Sequence, residues 1–86
     1  MIEYKVRVQN NGTKEWYLND KLHREDGPSV ECSNGDKYWY LNDKKHREDG
    51  PAIELGSGDK YWFINDKLLS EEEFNSRTNA ELTLYE

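Results

Sequence analysis

The chain is poor in several residue types on which common functions depend. Only one of its 86 residues is a cysteine, Cys32, so no disulfide can form within the chain, and a reducing cytoplasm is the expected compartment. Apolar residues make up 34% and form no run long enough for a membrane span or a signal peptide. We therefore expect a small cytoplasmic protein with a thin core, packed largely by its three Trp and six Tyr residues.

Positive charge is also scarce. The net charge is −6, from 18 acids and 12 bases, and the end of the chain is its most acidic part, where Glu71, Glu72 and Glu73 precede a single base, Arg77. Nucleic-acid binding requires a basic footprint, so direct contact with nucleic acid is not expected. An acidic surface suits a basic protein partner, or else serves only solubility.

A 23-residue repeat occupies most of the sequence. Its copies begin at Trp16, Trp39 and Trp62, and the first two are identical at 17 of 23 positions. A fixed short period is typical of chains built from stacked copies of one unit, which leaves few residues for a unique catalytic site. We predict one domain with four parts: an N-terminal strand and half repeat (1–15), repeat 1 (16–38), repeat 2 (39–61), and a partial repeat with a C-terminal capping helix (62–86).

Turn sequences recur within each repeat. Asn11-Gly12 predicts a type I′ hairpin turn, because both central residues of that turn need positive φ. Equivalent hairpins are predicted at 34–35 and 57–58. The Asn-Asp pairs at 19–20 and 42–43 predict further tight turns, since Asn and Asp tolerate left-handed backbone. The segments that follow these pairs suit either short extended stretches or ordered loops.

The predicted fold is mainly β: a single twisted antiparallel sheet of about six strands, made of stacked hairpin repeats and closed by a short C-terminal helix. Ser70 and Glu73 have the spacing of a capping box, which predicts a helix from about 71 to 77. Residues 81–85 alternate in polarity and are interpreted as a last edge strand or a frayed tail.

Aromatic residues form two rows in this sheet, with the tryptophans on one face and Tyr17, Tyr40 and Phe63 on the other. One row is expected to be core, and exposure of the second would create a binding surface, since Tyr, Trp and Arg dominate such surfaces. The candidate partner-binding residues are Tyr17, Tyr38, Tyr40, Tyr61, Arg24, Arg47, Glu71, Glu72 and Glu73.

Two histidines raise the question of a metal or catalytic site. His23 and His46 occupy equivalent positions beside acidic pairs, but the third repeat has Leu69 there. We expect each histidine to hydrogen-bond its own loop, and each following arginine to pair with an aspartate two residues later. No nucleophile arrangement, phosphate-binding glycine loop or zinc-finger spacing is present. We therefore expect no enzymatic activity, no metal and no cofactor.

The pattern Tyr-Trp-x-x-Asn-Asp-Lys-x-His resembles the MORN-type repeat, which also has a period of about 23 residues and stacked β-hairpins. Arg-Glu-Asp-Gly-Pro replaces the glycine-rich centre of that unit. The closer resemblance, over residues 11–76, is to small proteins with tandem His-Arg-Glu-Asp-Gly-Pro-Ala repeats, typical of bacteriophages, prophages and large DNA viruses. Many of these end in a Leu-Ser-Glu-Glu-Glu-Phe-like helix, as residues 69–74 do here.

This resemblance implies a phage protein in the host bacterial cytoplasm. Small acidic phage proteins without enzyme motifs are often inhibitors of host defence, anti-CRISPR proteins among them, which occupy a nucleic-acid-binding effector. The expected partner is such an effector. The alternatives are an assembly module that binds itself or a phage partner through free sheet edges, and a metal protein or enzyme that uses His23 and His46.

Overall fold

The structure is a computed structural model that describes the backbone of residues 2–84 and the side chains of residues 2–77. The chain is mainly β with a C-terminal helix, as predicted, and the described residues form ten short strands. The elements are β1 Lys5–Val8, β2 Lys14–Leu18, β3 Lys21–Leu22, β4 Val30–Glu31, β5 Lys37–Tyr38, β6 Tyr40–Leu41, β7 Lys44–Lys45, β8 Ile53–Glu54, β9 Lys60–Ile64, β10 Lys67–Leu69 and α1 Glu71–Leu84.

An antiparallel sheet forms the body of the domain. Its strands follow the order β1-β2-β4-β5-β8-β9-β10, with β3 also paired to β2, and β6 and β7 form a separate two-stranded sheet. The antiparallel sheet is as predicted, but it has eight strands and not about six. The short strands β3, β7 and β10 pair with the ends of β2, β6 and β9. Each repeat therefore contributes two hairpins rather than the single hairpin that was predicted.

The turns at Asn-Gly and Ser-Gly differ from the prediction. Gly12, Gly35 and Gly58 have φ of 91–101°, but the residue before each glycine does not have positive φ. The amide of Gly12 donates to the carbonyl of Gln9, and that of Gln9 to the carbonyl of Thr13. This is a three-residue loop in which glycine forms a bulge, so the expected type I′ turn is wrong here.

The turns with two positive φ values lie at the Asn-Asp pairs. Asn19 and Asp20 have φ of 52° and 64°, and the two equivalent pairs match them. These pairs make the two-residue connections β2–β3, β6–β7 and β9–β10. The prediction of tight turns at 19–20 and 42–43 is confirmed, and the segments after them begin as two-residue strands before becoming ordered loops.

Strand register separates the side chains onto two faces. On the first, here called the tryptophan face, Trp16, Trp39 and Trp62 lie beside a ladder of alternating charge that crosses the sheet. The ladder runs Lys14, Glu31, Lys37, Glu54, Lys60. Opposite charges on neighbouring strands stabilise this register. The second, the tyrosine face, also carries the charged residues Lys5, Arg7, Glu15 and Lys45. Its aromatic and aliphatic residues are Tyr17, Val30, Tyr38, Tyr40, Ile53, Tyr61, Phe63 and Leu68.

The hydrophobic core is very small. Among the described side chains, the buried apolar residues are Ala52, Leu69 and Phe74. The molecule measures 46 × 34 × 17 Å, so it is a thin slab. Polar contacts between neighbouring repeats must therefore supply much of its stability.

Helix α1 begins where the capping box predicts. The Ser70 hydroxyl accepts the amide of Glu73, whose carboxylate accepts the amide of Ser70. These hydrogen bonds from Ser70 lower the pKa of the Glu73 carboxyl. The cap therefore stabilises the helix at neutral pH and is lost as the pH falls through that lowered pKa.

The helix is longer than predicted and continues to Leu84. The interpretation of residues 81–85 as an edge strand is wrong for 81–84, because this stretch lacks Gly and Pro and simply extends a capped helix. Tyr85 lies outside the described residues. Helix α1 is the one helix of the described chain, and it is not apolar enough to cross a membrane.

Ser29 is fully buried and joins two strands through its hydroxyl. Its Oγ accepts the Tyr40 amide at 3.0 Å and donates to the Tyr40 carbonyl at 2.8 Å. Ser29→Ala should lower the free energy of unfolding by about 1–2 kcal/mol, because a buried amide loses its acceptor. Thermal unfolding tests this, with the exposed Ser33→Ala as a control that should change nothing. Equal stability of the two variants would contradict the role of Ser29.

Candidate interaction surfaces

Two equivalent loops, residues 23–28 and 46–51, fold back over the tryptophan face; we call them the acidic loops. In each, an arginine stacks on a tryptophan. The guanidinium carbon of Arg24 lies 4.0 Å from the centre of the Trp16 ring, and Arg47 lies at the same distance from Trp39. The side chains of Arg24 and Arg47 are each only 21% exposed.

The stacked arginines are also held by hydrogen bonds. Arg47 Nε donates to Asp49 at 2.8 Å, and its Nη1 donates to the Pro51 carbonyl at 3.0 Å and to Glu54 at 3.1 Å. Arg24 makes the same three contacts in repeat 1. The predicted pairing of arginine with aspartate is confirmed. Arg24 and Arg47 were predicted to contact a partner, but these hydrogen bonds hold their guanidinium groups against the protein itself.

The surroundings of Gly27 and Gly50 explain why the Arg-Glu-Asp-Gly-Pro motif contains a glycine. A Cβ on Gly50 would lie 2.9 Å from the guanidinium carbon of Arg47, and one on Gly27 would lie 3.0 Å from that of Arg24. Neither glycine has positive φ. Glycine is needed here because the stacked arginine lies against its backbone.

The histidines connect each loop to the next repeat. His23 Nε2 lies 3.0 Å from a carboxylate oxygen of Glu25, and its Nδ1 accepts the amide of Asn42 at 3.0 Å. Because Nδ1 accepts, the proton is on Nε2 and is donated to Glu25. His46 repeats this arrangement with Glu48 and Asn65. The expected bond within the loop is confirmed, and the bond to the following repeat is an addition.

A second contact between repeats comes from the Asn-Asp turns. Asp43 accepts the amide of Leu22 at 2.7 Å, while its own amide donates to the Leu22 carbonyl at 2.9 Å. Asp66 and Lys45 form the same pair one repeat later. The turn and the histidine together fix each hairpin to its neighbour.

With the arginines turned inward, the acidic loops present carboxylates to solvent. The side chains of Glu25, Asp26, Glu48 and Asp49 are 57–85% exposed. Between the loops lies an open groove of about 620 Å³, lined also by Trp39 and Leu41. These four acids were not among the residues predicted to bind a partner.

The same acidic pair continues into the third repeat. Glu71 and Glu72 stand 23 residues after Glu48 and Asp49, and they are exposed at the start of α1 with Glu73. Thus each of the three repeats carries two adjacent acids at equivalent positions, although the third repeat has a helix in place of the loop. Aligning the repeats past the end of the His-Arg-Glu-Asp-Gly motif would have revealed this row.

The predicted tyrosines lie together on the tyrosine face. Tyr17, Tyr38 and Tyr40 are half-buried, and burial is the main cause that raises the pKa of each phenol. Tyr61 is more open, at 42% exposed, and Leu68 near it is 57% exposed. Both aromatic rows are half-buried: arginines of the acidic loops stack on Trp16 and Trp39, and Lys45 lies over Phe63 on the tyrosine face.

Groups suited to metal binding or nucleophilic chemistry do not converge in the described residues. Within them, no three His, Cys, Asp or Glu side chains form a group that could hold a metal ion. Cys32 is half-buried, and burial together with Asp36 and Glu15 raises the pKa of its thiol. A raised pKa keeps the thiol protonated and weakly reactive.

The arrangement therefore offers two surfaces for other molecules, an acidic one on the loops and an aromatic one on the opposite face. No known protein family, curated protein or solved structure matches this chain.

Proposed function

We propose that the protein is a non-catalytic binding protein whose acidic loops dock against a basic surface of another protein. The observation that carries this proposal is the orientation of charge in the loops: the arginines are stacked and hydrogen-bonded inside, while Glu25, Asp26, Glu48 and Asp49 point outward. Each of these carboxylates accepts a hydrogen bond from a histidine or an arginine of its own loop, yet each keeps 57–85% of its side-chain surface exposed to a partner.

The spacing of the acids suits a polyanion-binding partner. Two strands separate equivalent positions of successive repeats, so the acidic pairs follow one another at intervals of roughly 10 Å. A basic surface that binds nucleic acid offers regularly placed cations to such a row.

The partner that we propose is a nucleic-acid-binding effector of bacterial defence, such as a CRISPR effector, which a phage protein would inhibit by occupying its basic surface. This step rests on the resemblance of residues 11–76 to phage repeat proteins, together with the acidic row. Charge at the rim of such a complex mainly accelerates encounter, so association should weaken as salt is raised.

Affinity capture from a bacterial lysate that contains defence systems tests the proposal. The wild-type chain is compared with Asp26→Asn/Asp49→Asn, in which each amide oxygen can still accept the hydrogen bond from arginine Nε. The control, Asp20→Asn/Asp59→Asn, removes equal charge from exposed turns elsewhere.

We expect the wild type and the control to enrich one nucleic-acid-binding protein, and the loop variant to lose it by roughly tenfold, or about 1.4 kcal/mol. Equal loss in the control would show that only net charge matters. Enrichment of no nucleic-acid-binding protein by the wild type would refute the proposed partner.

An assembly role is the second candidate, and one observation favours it. Strand β1 lies at one edge of the sheet, and its Val6 and Val8 are among the most exposed apolar side chains that the structure describes. An exposed apolar edge strand is a ready site for pairing with another chain. Capture of only this chain, or of phage structural proteins, would favour this role.

A further inference from the structure

We propose that the groove between the two acidic loops seats one arginine side chain of the partner protein. The inference rests on the proposed function, because it names the chemical group that the acidic loops recognise. The groove is open to solvent and has a volume of about 620 Å³. That volume lies within the range of roughly 300–1,000 Å³ typical of ligand sites.

The floor of the groove is apolar, which sets it apart from a merely charged surface. Trp39 and Leu41 lie two residues apart on an extended segment, so their side chains point to the same face of the sheet. Both are half-buried, and both line the groove. Long basic side chains cover such surface with their methylene groups while the charged end stays near water. The floor therefore favours a cation carried on an aliphatic stem.

The walls of the groove carry unbalanced negative charge. Each acidic loop contributes two carboxylates and one arginine to the lining, a net charge of −2 with the histidine neutral. Arg24 and Arg47 each already donate to two carboxylates of the chain. The carboxylates of both loops border one space, so a single incoming cation is attracted from two sides. Charge complementarity of this kind selects a basic side chain.

The chain itself shows which basic side chain suits these groups. Arg47 lies 4.0 Å from the centre of the Trp39 ring and donates to Asp49 at 2.8 Å. A planar guanidinium stacks on a ring and donates to carboxylates in a fork, whereas the ammonium of lysine is a point charge. The groove offers the same two components, an indole and exposed carboxylates, to a side chain from outside. Arginine is therefore the occupant that fits.

An NMR titration of the full chain tests the site, with acetyl-Gly-Arg-Gly-amide as the probe. The arginine peptide should shift the indole N–H signal of Trp39 saturably. The indole of Trp62 does not line this groove and serves as the internal reference. The same peptide with lysine should bind several-fold more weakly, and the one with citrulline, which is neutral and similar in shape, should not bind.

A matched pair of variants locates the site. Glu25→Gln/Glu48→Gln removes one carboxylate from each wall and keeps an oxygen that accepts from each histidine Nε2. It should raise the dissociation constant of the arginine peptide about fivefold, the upper end for an exposed ion pair. The control Asp20→Asn/Asp59→Asn removes equal charge outside the groove lining and should leave that constant unchanged.

Three results would overturn the inference. The first is no saturable change at Trp39 with the arginine peptide up to about 10 mM. The second is equal affinity for the lysine or the citrulline peptide, and the third is an equal loss in both variants. Affinity capture separates this inference from the proposed function. A captured partner without peptide binding refutes the groove alone, whereas peptide binding without a captured partner supports the groove and refutes the partner.

Discussion

Replacing Arg47 by alanine should lower the free energy of unfolding by about 2–3 kcal/mol, a loss of more than 8 °C in Tm for a chain of this size. The change removes the stack on Trp39 and the hydrogen bond to the Pro51 carbonyl. It also leaves Glu54 without its partner. With so few buried apolar residues, this stack is one of the largest contacts in the protein.

Gly50→Ala provides a second change at the same contact. The new Cβ would lie 2.9 Å from the guanidinium carbon, so the Arg47 guanidinium must shift from its position over Trp39. We expect Gly50→Ala alone to cost about 1–2 kcal/mol, and to cost almost nothing once Arg47 is alanine, because the atom with which it clashes is gone.

Thermal and urea unfolding of the wild type, both single variants and the double variant measure this coupling. We expect the double variant to be only slightly less stable than Arg47→Ala alone. Strictly additive losses would mean that Gly50 is needed for the backbone of its turn and not for the arginine.

Replacing His23 by alanine is the second large effect that we expect, a loss of about 1–3 kcal/mol. The side chain is buried at 6% exposure, and its removal leaves the amide of Asn42 without an acceptor. His46→Ala should act in the same direction but less strongly, because His46 and its bond to Asn65 are more exposed.

Glu25→Gln serves as the control for His23→Ala. It keeps an oxygen that can accept from Nε2 and does not affect Nδ1, so stability should change by less than about 0.5 kcal/mol. Thermal unfolding curves of His23→Ala, His46→Ala and Glu25→Gln measure these three changes in stability. A stable His23→Ala chain that loses only partner binding would instead assign the histidine to a binding site.

Much of the fold could be predicted because its signals are local. The 23-residue period located the hairpins, the Asn-Asp pairs located the tightest turns, and Ser70 with Glu73 located the start of the helix. The helix end was missed because alternation over 81–85 was weighed as a strand pattern, although a capped helix without Gly or Pro simply continues.

The candidate site was less predictable, because its contacts join residues that are distant in the sequence. Arg24 stacks on a tryptophan eight positions earlier, and its guanidinium reaches Glu31 seven positions later. The periodicity of the sequence does not indicate such side-chain contacts. Once the arginine is known to lie inside the loop, the outward position of its acidic neighbours follows.

The measurement that tests the central claim most directly is competition for the captured protein. The wild-type chain, loaded with the protein that it enriches from lysate, is challenged with a short DNA duplex and, separately, with an uncharged polymer. If acidic loops occupy a nucleic-acid-binding surface, DNA should release the captured protein and the polymer should not. Retention of the captured protein at saturating DNA would contradict the claim.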